Sequence, residues 1–86
     1  MKRVFIIHGW GGNPQEGWLP WLNKELIKRG FKAENPAMPD TDTPVIEAWV
    51  RKLASVVKKP DKDTFLVGHS IGCQTILRYL QTIGAP

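Results

Sequence analysis

Residues Phe65-Leu66-Val67 form a short continuous apolar run, and the five residues that follow read Gly68-His69-Ser70-Ile71-Gly72. A continuous run, rather than an alternating one, is the pattern of a strand covered on both faces. From Ile71 to about Ile83 the residues Cys73, Ile76, Leu77, Leu80 and Ile83 are available for packing and predict a helix. A chain that passes from strand to helix within a few residues must turn sharply. The backbone is crowded in such a turn, and glycine is needed where a Cβ would clash. Gly68 and Gly72 meet that demand, and Ser70 is lifted above the end of the strand with its hydroxyl exposed.

The remaining chain fits the same scheme. Val4-Phe5-Ile6-Ile7 is a second continuous apolar run and predicts another buried strand. His8-Gly9-Trp10-Gly11-Gly12-Asn13-Pro14 is a loop by its glycines and proline. From about Gly17 to Arg29, Trp18, Leu19, Trp21, Leu22 and Leu26 recur at helical spacing, with Pro20 in the first turn and Gly30 as terminator. Phe31 to Glu34 is a short second strand, and Asn35 to Thr43 an ordered loop. Thr43 and Pro44 suit an N-cap and first helical position. Val45, Ile46, Trp49, Leu53, Val56 and Val57 then trace an amphipathic face to about Lys58, and Pro60 to Asp63 is a turn. The order is β-α-β-α-β-α. Right-handed crossovers make this an α/β three-layer sandwich with a mostly parallel sheet and strand order second-first-third.

At 86 residues the chain is at most one domain. Twelve Lys and Arg against eight Asp and Glu give a net charge of +4, which raises nucleic-acid binding as a function. The basic residues, most of them between Lys24 and Lys62, are spread out without a dense patch, as expected of solvated faces, so no nucleic-acid partner is expected. Cys73, the only cysteine, permits no internal disulfide and reads as a small buried hydrophobe in a reducing compartment. Val4 to Ile7 is too short for the core of a signal peptide, and no run approaches the ~20 apolar residues of a membrane span. A cytoplasmic protein without a membrane partner is expected. No His, Cys, Asp or Glu spacing suits a metal, and no phosphate-binding loop of the Walker type occurs, so no metal or cofactor is expected.

Loops that follow parallel strands gather at the carboxyl edge of the sheet, where ligand sites of such folds form. Ser70 is the candidate nucleophile. The amide of Ile71, at the start of a helix, and that of Trp10 are candidate donors to an oxyanion. His8, Gly9, Trp10 and His69 surround the position a substrate would take. His69 flanks the serine in sequence and is expected to turn away from it, and His8 to brace its loop through hydrogen bonds. Asp40 and Asp42 are read as turn and cap residues. Trp10 is a candidate wall of an acyl pocket, whereas Trp18, Trp21 and Trp49 are expected as core anchors.

These residues resemble the α/β-hydrolase superfamily, and more narrowly its small serine hydrolases of the RBBP9/YdeN type. The resemblance is carried by Val4 to Pro14, Trp18 to Leu22, Pro39 to Pro44 with Trp49, and Leu66 to Gly72. It implies Ser70 as nucleophile, the Trp10 and Ile71 amides as oxyanion hole, and an esterase-like activity on a small ester or amide. In that superfamily the triad runs serine, then aspartate, then histidine. No Asp, Glu or His follows Ser70 here. The expectation is therefore a single truncated domain over residues 1–86, the N-terminal half of the family's fold, with little turnover of its own. The alternative is a non-catalytic interaction module that pairs through its exposed sheet edge with a C-terminal half or a second copy.

Overall fold

A computed structural model describes residues 1–84. Strands β1 (Arg3–Ile7), β2 (Lys32–Glu34) and β3 (Thr64–Gly68) alternate with helices α1 (Leu19–Lys28), α2 (Ile46–Val57) and α3 (Ile71–Thr82). The sheet has the order β2-β1-β3, and both pairings are parallel. In register, Val4 stands opposite Ala33 and Phe65, and Ile7 opposite Gly68. The expected α/β class, element order and strand order are all present.

The continuous apolar character of β1 follows from its central place. Phe5 and Ile7 join Trp49, Leu53 and Val57 of α2 and Ile76 and Tyr79 of α3 in one core. Val4 and Ile6 pack instead with Leu19, against which Leu22 and Leu26 of α1 lie. Alternate side chains of one strand thus feed two cores, which makes three layers. β3 repeats the pattern less completely. Leu66 packs on the first core and Val67 on the second, but Phe65 remains 43% exposed on the α1 face.

Several boundaries and packing expectations are corrected. α2 begins at Ile46 with extended Val45 as its N-cap, not at Thr43 and Pro44. The Thr43 amide donates to Asp40 O at 3.1 Å, closing a turn around Asp40 at φ +47°, so the helix starts only after that turn. Of the three tryptophans expected in the core, only Trp49 is fully buried; Trp18 and Trp21 are 42% and 63% exposed. Trp18 lies ahead of the first helical residue, and Trp21 falls on the face of α1 opposite Leu19. Cys73 is exposed rather than buried. Leu77 is exposed as well, because α3 turns only Gly72, Thr75, Ile76 and Tyr79 fully inward.

Candidate active site at the carboxyl edge of the sheet

The turn between β3 and α3 is held by main-chain contacts to β1. The His69 amide donates to Ile7 O at 3.0 Å, which carries the ladder one residue beyond β3. Gly72 then crosses the end of β1 so closely that a Cβ there would run into Ile7 O and lie 2.9 Å from His8 O. At Gly68 a Cβ would lie 2.7 Å from the Cys73 nitrogen and 2.9 Å from its Cα. The two flanking glycines are therefore close-approach positions, as the sequence implies.

Between them Ser70 adopts φ +59° and ψ −126°. A non-glycine residue in that region stores on the order of 1–3 kcal/mol. The strain persists because the ladder bond on one side and the helix seat on the other fix the chain. Gly72 N–H to His69 O at 2.9 Å and Cys73 N–H to Ser70 O at 3.0 Å complete the turn. Ser70 is exposed.

The loop after β1 lies against this turn. A Cβ on Gly9 would sit 2.9 Å from Ser70 Cβ and 3.1 Å from His69 Nδ1, so only glycine permits the contact. Gly9, His69 and Ser70 are thus brought together, with Trp10 adjoining. Trp10 is 65% exposed, and its indole N–H donates to Asp42 O at 3.1 Å. His69 is exposed, and its ring meets Trp18 edge-on at 5.9 Å between centroids.

His8 is buried and both its ring nitrogens are engaged. Nδ1 lies 3.0 Å from the Gly9 carbonyl, and Nε2 receives the Met38 amide at 3.0 Å. A carbonyl needs a donor and an amide an acceptor, so His8 is neutral with its hydrogen on Nδ1. It braces the loop rather than facing Ser70. Asp40 and Asp42 belong to the turn before α2, as expected of turn residues.

Asn35 was not anticipated. Its amide donates to Pro14 O and Leu19 O at 3.2 Å each and receives Asn23 Nδ2 at 2.8 Å, tying the loop after β1 to the end of β2. An asparagine before a proline at a strand end was the available signal. Buried Thr75, which returns a hydrogen bond to Ile71 O at 3.0 Å, had no signal beyond its helical position. Among the described residues no group of three or more His, Cys, Asp or Glu could hold a metal, and no helix is long and apolar enough to cross a membrane.

A parallel α/β sheet with a strained serine at its carboxyl edge defines the class to which the chain can be compared. The serine hydrolase family model matches residues 4–85, and the chain belongs to that family. It is 39% identical over 80 residues to YdeN of Bacillus subtilis, covering 93% of this chain and 42% of YdeN. It is 30% identical over 83 residues to the serine hydrolase RBBP9 of Rattus norvegicus, covering 93% of this chain and 44% of that protein. The crystal structure of the ydeN gene product matches with a TM-score of 0.88 over 93% of this chain and 43% of the other. The chain thus spans less than half the length of the relatives it matches.

Proposed function

We propose that Ser70 is the nucleophile of an esterase-like acyl transfer on a small ester or amide. Ser70 Oγ attacks the acyl carbon and gives its proton to a histidine supplied from elsewhere. The Trp10 and Ile71 amides hold the oxyanion, the leaving group departs with that proton, and water then releases the acyl group. The observation that carries this reading is the strained backbone of an exposed serine between β3 and α3, seated against Gly9. His8 is committed through both ring nitrogens to Gly9 and Met38, and the His69 ring packs edge-on against Trp18; in this reading neither serves as the base. Residues 1–86 therefore form one domain that supplies the nucleophile and oxyanion donors and turns over little alone, in a cytoplasmic setting.

The test is labelling of the purified chain by a fluorophosphonate, read by intact mass and peptide mapping, with and without added imidazole. Slow labelling at Ser70 that imidazole accelerates, and that Ser70→Ala removes, is the expected result. Labelling at another residue, or none with imidazole, refutes Ser70 as nucleophile. Robust ester hydrolysis without imidazole refutes the missing base.

A second reading is favoured by one observation. β3 pairs only with β1 among the described residues, and Phe65 and Leu77 are 43% and 67% exposed. An unpaired edge beside apolar surface suits a module that pairs with a C-terminal half or a second copy. Light scattering that finds only monomer removes the self-pairing form.

A further inference from the structure

We propose that the Thr41–Asp42 segment is a clamp that positions the Trp10 amide for the oxyanion; this inference rests on the reading of Ser70 given above. Two successive main-chain carbonyls face the loop after β1. Thr41 O receives the Gly11 amide at 2.7 Å, and Asp42 O receives the Trp10 indole N–H at 3.1 Å. One bond holds the peptide immediately after the Trp10 amide, and the other holds the far end of the Trp10 side chain. The indole is 65% exposed, so burial alone does not fix it.

The clamp is anchored in the core. Trp49 is fully buried, and its indole N–H donates to Pro39 O at 2.7 Å. Buried His8 receives the neighbouring Met38 amide at 3.0 Å. From there the chain turns through Asp40 at φ +47°, closed by Thr43 N–H to Asp40 O, and presents the two carbonyls outward. On the opposite side, Gly12 N–H to Gly9 O at 3.1 Å closes the Trp10 loop, and Gly9 abuts Ser70. The Trp10 peptide is therefore bracketed between two anchored segments. An oxyanion donor must be held in advance, since a displacement of about 1 Å can cost about 10²-fold in rate. Thr41 and Asp42 are positioning residues in this scheme and act only through their carbonyls. The displaced α2 start gives the turn its purpose: residues 40–43 serve Trp10 before the helix begins.

Trp10→Phe keeps an aromatic ring and removes the indole N–H. Replacement of Trp10 by 3-benzothienylalanine keeps the bicyclic shape without the N–H, and 5-fluorotryptophan keeps both. In imidazole-assisted labelling, the first two should lower the saturating rate at Ser70 by about tenfold or more, with half-saturation changed less than about twofold. The fluorinated analogue should label like the parent. Amide exchange, read by nuclear magnetic resonance, should quicken about tenfold at Gly11, whose amide is held by Thr41 O, in Trp10→Phe and stay unchanged at Gly72. Parent-like labelling or parent-like exchange in Trp10→Phe overturns the clamp. Labelling that persists in Ser70→Ala overturns the nucleophile reading instead, and amide exchange then decides the clamp by itself.

Discussion

Replacing Gly72 with alanine adds one methyl group where α3 passes closest to β1. The new Cβ would run into Ile7 O and lie 2.9 Å from His8 O and 3.1 Å from the Ile7 carbonyl carbon. All three are main-chain atoms at the end of the central strand, so no side-chain rotation relieves the clash. Ordinary carbon–oxygen contacts lie at about 3.3–3.6 Å, so α3 must lift from β1 by roughly 1 Å. Overpacking of this kind costs about 1–3 kcal/mol, and a rigid backbone neighbour puts Gly72→Ala near the upper figure. Alanine recovers up to about 1 kcal/mol of helix propensity, leaving a net loss of about 2 kcal/mol. In a domain of this size that lowers Tm by roughly 8–16 °C. Gly17→Ala is the control, because Gly17 has φ +56° with nothing within 4 Å of an added Cβ. It bears only the left-handed strain, about 1 kcal/mol, or roughly 4–8 °C. Both variants are followed by thermal circular dichroism. A Gly72→Ala protein as stable as the parent would refute the seating of α3 on β1, and with it the explanation of the strained serine.

Three further outcomes follow from the same structure. Ser70→Gly should be more stable than Ser70→Ala by about 1–3 kcal/mol, because glycine alone relieves the φ +59° backbone; equal denaturant midpoints would remove the strain argument. His8→Ala strips the buried Met38 amide of its acceptor and should cost about 1–3 kcal/mol before any cavity is counted; a loss below this range, measured by urea unfolding, would mean that another acceptor reaches Met38. Burial raises the Tyr79 phenol above its ordinary value, with Arg3 opposing weakly. The folded state then holds the Tyr79 proton more tightly than the unfolded state. Its contribution to stability is full below about pH 10 and is lost as pH rises further, so Tyr79→Phe should lessen the drop in urea midpoint between about pH 9 and about pH 11; an equal drop in both proteins would contradict the shift.

The fold was legible because its strongest signals are periodic and local. Val4 to Ile7 is apolar throughout because Val4 and Ile6 face one core and Phe5 and Ile7 the other. Gly68 and Gly72 were legible for a steric reason that the close contacts bear out. What misled was amphipathicity read without a partner. Trp18 and Trp21 fall at helical spacing, yet α1 covers mainly β1 and β2, and their rings lie beyond that contact. Cys73 has helical spacing from Ile76 and Leu80, but it falls on the outward side of the first turn of α3. Sequence alone places the start of α2 too early because Thr-Pro is a good capping pair locally, while the hydrogen bonds from Gly11 and Trp10 are long-range and leave no trace in spacing.

The structure separates placing the serine from activating it. Every contact that sets the Ser70 backbone comes from β1, β3, α3 or the loop after β1: the His69 amide on Ile7 O, the methyl-free approach of Gly72, and Gly9 against Ser70 Cβ. None of them involves the free edge of β3 or the exposed face at Phe65. Local strain survives only where neighbouring structure over-determines it, and here that structure lies on the closed side of β3. The serine geometry is therefore independent of whatever covers the open side. Activation is different, since a serine hydroxyl needs a base within hydrogen-bond reach. Of the two histidines, His8 is engaged through both ring nitrogens by Gly9 and Met38, and the exposed His69 ring packs edge-on against Trp18. On the proposed reading, a chain built this way holds its nucleophile ready in shape and depends on an added base for reactivity, which is why imidazole, and not a stabilising substitution, is the reagent that distinguishes the two.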